Sequence, residues 1–194
     1  FTALPKGIFE INGLEYVITS NGARMAELST MKNIYSNCAD AEAMIRVKKL
    51  LSENKQHPVE VFTEGRAYID QSVYDDVRDN GSDFMDANYI INTRTPVTSV
   101  YDFLYDNKET IENINIHFRD LEDKKVFNAI LSEYEGITVT SSMPHNIEIG
   151  GKTTSKATAI SALCSMLGIE QKNVMAIGDS PNDSAMIKAA RIGV

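Results

Sequence analysis

Asn173-Val174-Met175-Ala176-Ile177-Gly178-Asp179-Ser180-Pro181-Asn182-Asp183 is the stretch whose reading decides the fold. Val174 to Ile177 is an apolar run too short for a helix, and it reads as a buried parallel strand. Gly178 lets the backbone turn sharply and leaves Asp179 at the strand's carboxyl end, the edge where open α/β sheets bind ligands. Ser180 then reads as an N-cap, Pro181 as the first helical residue and Asp183 as the acid three residues after the cap. Two carboxylates and the Asn182 amide are gathered in one turn. Acids so placed repel one another unless something positive lies between them. Mg²⁺ suits them, because it takes one or two carboxylates plus substrate phosphate oxygens. A plainer alternative stays open here: Asp183 closes a capping box with Ser180, and Asp179 is a solvated loop acid.

Immediately upstream the pattern is helical. Thr154 or Ser155 caps a helix from Lys156 to Leu167, with Ile160, Leu163, Cys164 and Leu167 as its buried stripe and Gly168 as its stop. Lys156 in the first turn opposes the helix dipole at a cost of up to about 1 kcal/mol. An anion held jointly by the ammonium and the helix N-terminus would offset that cost. The alternative is that Lys156 reaches out to solvent. Gly150-Gly151-Lys152-Thr153 imitates the end of a P-loop, but the glycine required five residues before Gly151 is Asn146, so an NTPase is rejected.

Toward the N-terminus, Phe1 to Glu10 carries a partial helical pattern weakened by Pro5 and Gly7. Glu15 to Thr19 reads as a strand ended by Ser20-Asn21-Gly22-Ala23, where Asn21 and Gly22 are read as positive-φ turn residues rather than ligand contacts. Lys32 to Ser36 is strand-like, and Asp40 caps a helix to about Asn54. Val59 to Phe62 and Ala67 to Ile69 flank Glu64-Gly65-Arg66 as a hairpin. Short helices are expected at Val73 to Val77 and from Thr98 or Ser99 to Tyr105. Ile114 to Phe118 alternates like a strand with one buried face, and a helix runs from Asp120 or Leu121 to Tyr134. Strands at 137–140 and 147–149 close an α+β unit whose sheet carries helices on one face. His57, His117 and His145 lie on separate elements without metal-like spacing. The acids at Asp75-Asp76 and Glu122-Asp123 read as solvated faces or caps.

The formal net charge of -8 argues against non-specific binding to nucleic acid or an anionic membrane. Cys38 and Cys164 are too few and too far apart for a disulfide scaffold or a thiolate zinc site, and read as small buried hydrophobes. No apolar run approaches ~18 residues, so no membrane span is expected. No secretory h-region is present, and the expected location is cytoplasmic.

A helix-initial lysine, a short helix, and an apolar strand ending Gly-Asp-x-x-x-Asp together resemble the haloacid dehalogenase (HAD) superfamily. In finer detail the chain resembles its Cof-type, subclass IIB phosphatases. The residues carrying this are Ile18-Thr19-Ser20-Asn21-Gly22-Ala23, Asn146-Ile147-Glu148-Ile149, Ser155-Lys156-Ala157 and Gly178 to Met186. The resemblance implies an α/β fold, part of a Rossmann-like parallel-sheet core with a large inserted α+β cap. Residues 1–23 and 150–194 would be core, and 24–149 the cap that selects the substrate. It also implies Mg²⁺ as cofactor and a small phosphorylated metabolite, such as a sugar phosphate, nucleotide or cofactor phosphate, as substrate. Lys156 would neutralise the phosphate, Asn182 would seat it, Asp179 would ligate the metal and Asp183 would support that metal, with Lys156 and Asp183 counted as catalytic. Glu64, Arg66, Tyr68 and His145 are candidate selectors in the cap.

In that family an aspartate on the first core strand attacks phosphorus, and a second, two residues later, acts as acid and base. No Asp-x-Asp precedes Tyr16, and no Thr-Gly-Arg or Ser-Gly-Arg turn precedes Phe1. The expectation is therefore a segment of a longer phosphatase, lacking its N-terminal nucleophile motif and C-terminal tail and inactive alone. The rival is a shortened, catalytically dead homologue acting as a binding or regulatory module.

Overall fold

The computed structural model describes residues 4–194, so Phe1 in the opening pattern lies outside the described residues. That pattern yields a 3-10 turn, Lys6–Glu10. Strands β1 (Tyr16–Thr19), β2 (Arg24–Glu27) and β3 (Lys32–Ser36) then form an antiparallel meander. A division at residue 24 therefore falls inside a hydrogen-bonded sheet.

The middle of the chain runs α1 (Ala41–Glu53), β4 (Val59–Thr63), β5 (Arg66–Asp70), α2 (Gln71–Asn80), α3 (Ala87–Thr93) and β6 (Arg94–Val97). It continues through α4 (Val100–Asp106), β7 (Ile111–His117), α5 (Leu121–Ser132), β8 (Ile137–Thr140) and β9 (Asn146–Gly151). Its six strands lie in the order β6-β5-β4-β7-β9-β8, antiparallel except for β5 with β6. The helices start where short polar side chains satisfy free amides. Asp40 accepts from Ala43 N at 3.0 Å, Ser99 from Asp102 N at 3.2 Å and Asp120 from Glu122 N at 2.8 Å. Glu64 (φ 50°) and Gly65 (φ 72°) make the β4–β5 turn left-handed, as a tight hairpin requires.

Met44, Val47 and Leu51 of α1, Leu104 of α4 and Phe127 and Leu131 of α5 bury one sheet face together with Val59, Val61, Ile114 and Ile116. The expected one-sided sheet is incorrect. Ile69, whose alternation turns it the other way, packs with Val77 of α2 and Ile90 of α3, so helices cover part of the second face as well. β7 is buried along all seven residues rather than on one face, with Ser20 and Arg24 covering Glu112. Most of its polar side chains find partners inside, Asn113 Oδ1 being the exception. Asn115 Nδ2 donates to Glu60 Oε2 at 2.9 Å, His117 Nε2 lies 3.1 Å from that oxygen, and Arg94 Nε donates to Glu60 Oε1 at 2.6 Å.

The last segment contains α6 (Lys156–Leu167), β10 (Met175–Ala176), a 3-10 turn at Pro181–Asp183, α7 (Ser184–Ala189) and β11 (Ile192–Gly193). The buried strand expected over 174–177 is shorter and more open than its sequence suggests. Two residues pair in parallel with β11, and Met175 and Ile177 are 57% and 67% exposed. Nothing among the described residues pairs with the free edge of β10. Leu167, expected in the buried stripe of α6, is exposed for a related reason: α6 packs mainly through Ala159 and Cys164 at its inner side. No helix among the described residues is long and apolar enough to cross a membrane.

Glu60 is completely buried and still ionised. Burial pushes its pKa up, but the His117 hydrogen bond and the Arg94 charge outweigh it and lower the value from 4.5 to about 2. Its contribution to stability is thus present above pH 4.5 and lost as pH falls toward 2. Arg94→Met, which takes the guanidinium away from this charge, is expected to cost about 3 kcal/mol in urea denaturation at pH 7. The gap from wild type should shrink as the pH drops from 5 to 2; a gap that is absent at pH 7 would contradict the pairing.

Candidate functional site

Ser155 caps α6, its hydroxyl accepting from Thr158 N at 3.0 Å, and so fixes Lys156 as the first helical residue. The ammonium turns back onto the Asp179 turn. Lys156 Nζ donates to Asp183 Oδ1 at 2.5 Å and approaches Asn182 Oδ1 at 3.4 Å. Asp183 itself is 4% exposed. Its Oδ2 accepts from Asp179 N at 3.3 Å and Ser180 N at 3.2 Å. The capping box with Ser180 is therefore formed: one oxygen closes the turn, and the other holds the lysine. Burial alone would push its carboxyl up, but Lys156 and the two amides outweigh that and hold it below the usual range.

Glycines make the approach possible. A Cβ on Gly178 would stand 2.4 Å from Asp183 Cβ, and one on Gly22 would stand 2.2 Å from the Ser155 carbonyl oxygen. Gly22 (φ 98°) thus brings the turn after β1 against the start of α6. There Asn21, left-handed at φ 55°, acts as more than a turn residue. Its Oδ1 accepts from Asn182 Nδ2 at 3.0 Å, and its Nδ2 donates to Glu148 Oε2 at 2.6 Å. Glu148 Oε1 accepts from Ser142 Oγ at 2.5 Å and Asn146 Nδ2 at 3.2 Å, and Asn146 reaches Asn115 at 3.0 Å. A hydrogen-bonded line thus runs from Lys156 through Asn182, Asn21 and Glu148 to the polar face of the large sheet.

Beside Lys156 lies a cavity of about 450 Å³ lined by Thr19, Ser20, Asn21 and Met186. The Thr19 hydroxyl is buried there with no hydrogen-bond partner. Ser20 Oγ donates to Glu112 Oε2 at 2.9 Å, and Glu112 Oε1 takes Arg24 Nη1 at 3.0 Å. Glu112 and Arg24 in turn line a cavity of about 610 Å³ with Glu64, Arg66 and Tyr68. Three of the four candidate selectors are therefore neighbours. The fourth, His145, turns away to the Phe118 carbonyl, 2.9 Å from Nδ1.

Lys156, Asn182 and Asp183 are in direct contact, and Asp179 joins them through its backbone. The Asp179 side chain is exposed and accepts from Ser180 Oγ at 3.1 Å. No group of three His, Cys, Asp or Glu residues is placed to hold a metal among the described residues. Two carboxylates with oxygen donors alone fit a hard cation that keeps waters and shares phosphate oxygens. Of the two, the Asp179 carboxylate is the exposed one. Both oxygens of Asp183 are already committed, one to Lys156 and one to the Asp179 and Ser180 amides. The sequence assigns no site role to Thr19, Asn21, Glu112 or Glu148; the motifs holding Thr19, Asn21 and Glu148 are the available signal, and Glu112 has none.

The haloacid dehalogenase-like hydrolase family matches residues 4–194. A 5-amino-6-(5-phospho-D-ribitylamino)uracil phosphatase of Bacillus subtilis, YcsE, is 42% identical over 78 residues, 39% of this chain and 31% of that one. A protein of Streptococcus pyogenes serotype M6 is 27% identical over 177 residues, 89% of this chain and 61% of that one. The chain thus spans less than two thirds of either relative. Among solved structures, a haloacid dehalogenase-like hydrolase from B. subtilis aligns with a TM-score of 0.76 at 25% identity, over 95% of this chain and 70% of that one. The subclass IIB sugar phosphatase BT4131 shares the fold at a TM-score of 0.73 and 19% identity, over 98% of this chain and 68% of that one.

Gly178→Ala should force the Asp183 carboxylate off the Asp179 and Ser180 amides. The expected cost is about 2 kcal/mol, or roughly 4–8 °C in melting temperature for a chain of this size. An unchanged melting curve would show that the close approach is not a constraint.

Proposed function

Because the chain belongs to the haloacid dehalogenase-like hydrolases, we propose that the Lys156–Asp183 site holds the phosphoryl group of a small phosphorylated metabolite for Mg²⁺-dependent hydrolysis. The supporting observation is the contact itself, an ammonium at the start of α6 held 2.5 Å from the buried acid that closes the Asp179 turn. Positive charge placed beforehand where phosphoryl oxygens gather negative charge needs no rearrangement during reaction. Asp183 keeps that ammonium aimed. Asn182, fixed by Asn21, offers a polar group to the same place, and the Thr19 hydroxyl offers an unused one.

Asp179 would hold the metal, with Asp183 orienting the turn behind it; the metal would withdraw charge from the phosphoryl oxygens. We assign the attacking aspartate, and the phospho-aspartyl intermediate it would form, to polypeptide outside these 194 residues. Residues 24–149 serve in this reading as the cap. Its cavity with Arg24, Glu64, Arg66 and Tyr68 is offered to the non-phosphate part of the substrate, where paired acids and guanidiniums suit a polyhydroxylated or heteroatom-rich body. The B. subtilis relative named for a phosphoribitylamino-uracil supports a substrate of this general size and polarity.

The test is hydrolysis of p-nitrophenyl phosphate by the intact gene product. Lys156→Ala should lower turnover by roughly 100-fold or more, and Asp179→Asn or EDTA should abolish the response to added Mg²⁺. Turnover indifferent to EDTA and to both substitutions would overturn the assignment.

A further inference from the structure

Glu148 is 9% exposed on β9, and its side-chain partners are neutral. Its Oε1 accepts from Ser142 Oγ at 2.5 Å and Asn146 Nδ2 at 3.2 Å, and its Oε2 accepts from Asn21 Nδ2 at 2.6 Å. Burying a charge among neutral groups is unfavourable, and a glutamine of the same shape would avoid that cost. Packing therefore gives no reason for an acid at this position.

What an acid supplies is direction. An ionised carboxylate only accepts hydrogen bonds, an ammonium only donates them, and a side-chain amide does both. Two amides, Asn21 and Asn182, stand between Glu148 and the Lys156 ammonium. The acid draws the Asn21 nitrogen toward itself, so the Asn21 oxygen faces the other way and accepts from Asn182 Nδ2 at 3.0 Å. That turns the Asn182 oxygen to Lys156 Nζ, 3.4 Å away. The reverse order would set Asn182 Nδ2 against the ammonium, donor against donor. A glutamine at 148 could present nitrogen as readily as oxygen, and would fix no order. The path of the backbone has its own support. Ser20 (φ 50°), Asn21 (φ 55°) and Gly22 (φ 98°) are left-handed in succession, an arrangement that persists only where its surroundings hold it. Ser20 Oγ donates to Glu112 Oε2 at 2.9 Å, and Gly22 lies against the Ser155 carbonyl.

We propose that Glu148 is a positioning residue for the phosphoryl site. Acting through Asn21, it orients the Asn182 amide so that the oxygen steers the Lys156 ammonium and the second N–H is turned to a phosphoryl oxygen. The assignment rests on the reading of that site as the holder of a phosphoryl group.

The test is Glu148→Gln in the intact gene product, which keeps the shape and removes the direction. The variant should melt at or above the wild-type temperature, since it buries no charge. Its kcat/KM for p-nitrophenyl phosphate should fall roughly tenfold, with the Mg²⁺ concentration for half-maximal rate unchanged. Asn182→Ala should carry a loss of similar size, and Glu148→Gln should add nothing to it. Without any substrate, Glu148→Gln should move the side-chain amide ¹⁵N resonance of Asn182, a residue that Glu148 does not touch. Wild-type kcat/KM, a loss that adds fully to that of Asn182→Ala, an unmoved Asn182 resonance, or a melting temperature well below wild type would each overturn the proposal. Turnover indifferent to Lys156→Ala would instead overturn the phosphoryl reading itself, and the Asn182 resonance would still report whether Glu148 sets the amide order.

Discussion

The Lys156–Asp183 contact is the interaction on which the rest of the site depends. It joins the first turn of one helix to a tight turn 27 residues later. A buried carboxylate without a cation would be expensive, and a lysine in a helix's first turn without an anion is mildly unfavourable. Each group removes the other's cost. The same carboxylate also satisfies the amides of Asp179 and Ser180, so it sets the path of the chain where the Asp179 side chain emerges. Gly178 and Gly22 are required because the approach leaves no room for a Cβ.

From that contact, order spreads through polar groups rather than through the apolar core. Asn182 binds Asn21, Asn21 binds Glu148, and Glu148 binds Asn146, which meets Asn115 beside the buried Glu60–Arg94 pair. Chains of this kind are rigid when every member is satisfied and costly when one is lost. The arrangement ties the sheet of the proposed cap to the turn that carries the proposed chemistry. It also places local positive charge inside a molecule of net charge -8, where the overall field would repel an anionic substrate.

What the sequence made legible was local. Asp40 reads as a cap and is one, and of Thr154 and Ser155, both read as possible caps, Ser155 is the one that caps α6. The Glu64-Gly65 turn and the Gly168 stop followed from the left-handed backbone they needed. The position of Lys156 relative to the Asp179 turn could be inferred because both sit at element ends along a short stretch of chain. What was illegible depended on distant partners. The alternation of Ile114 to Phe118 suggested a wet face, yet Asn115 and His117 are buried because Glu60, more than fifty residues away, receives them. Val174 to Ile177 looked buried because it is apolar, but exposure follows from what packs against a strand, which no pattern within the strand records. Asn21 was hidden in a turn that its backbone explains completely.

The central claim is that ammonium and acids converge on one metal-bound phosphoryl group. A crystal structure of the intact gene product grown with Mg²⁺ and vanadate tests it most directly. The account predicts vanadate bound by Lys156 Nζ and by a metal that the Asp179 carboxylate ligates, with Asp183 still bridging Lys156 and the Asp179 turn. Vanadate lodged elsewhere, or Lys156 and Asp179 facing separate regions of solvent with no shared ligand, would contradict it.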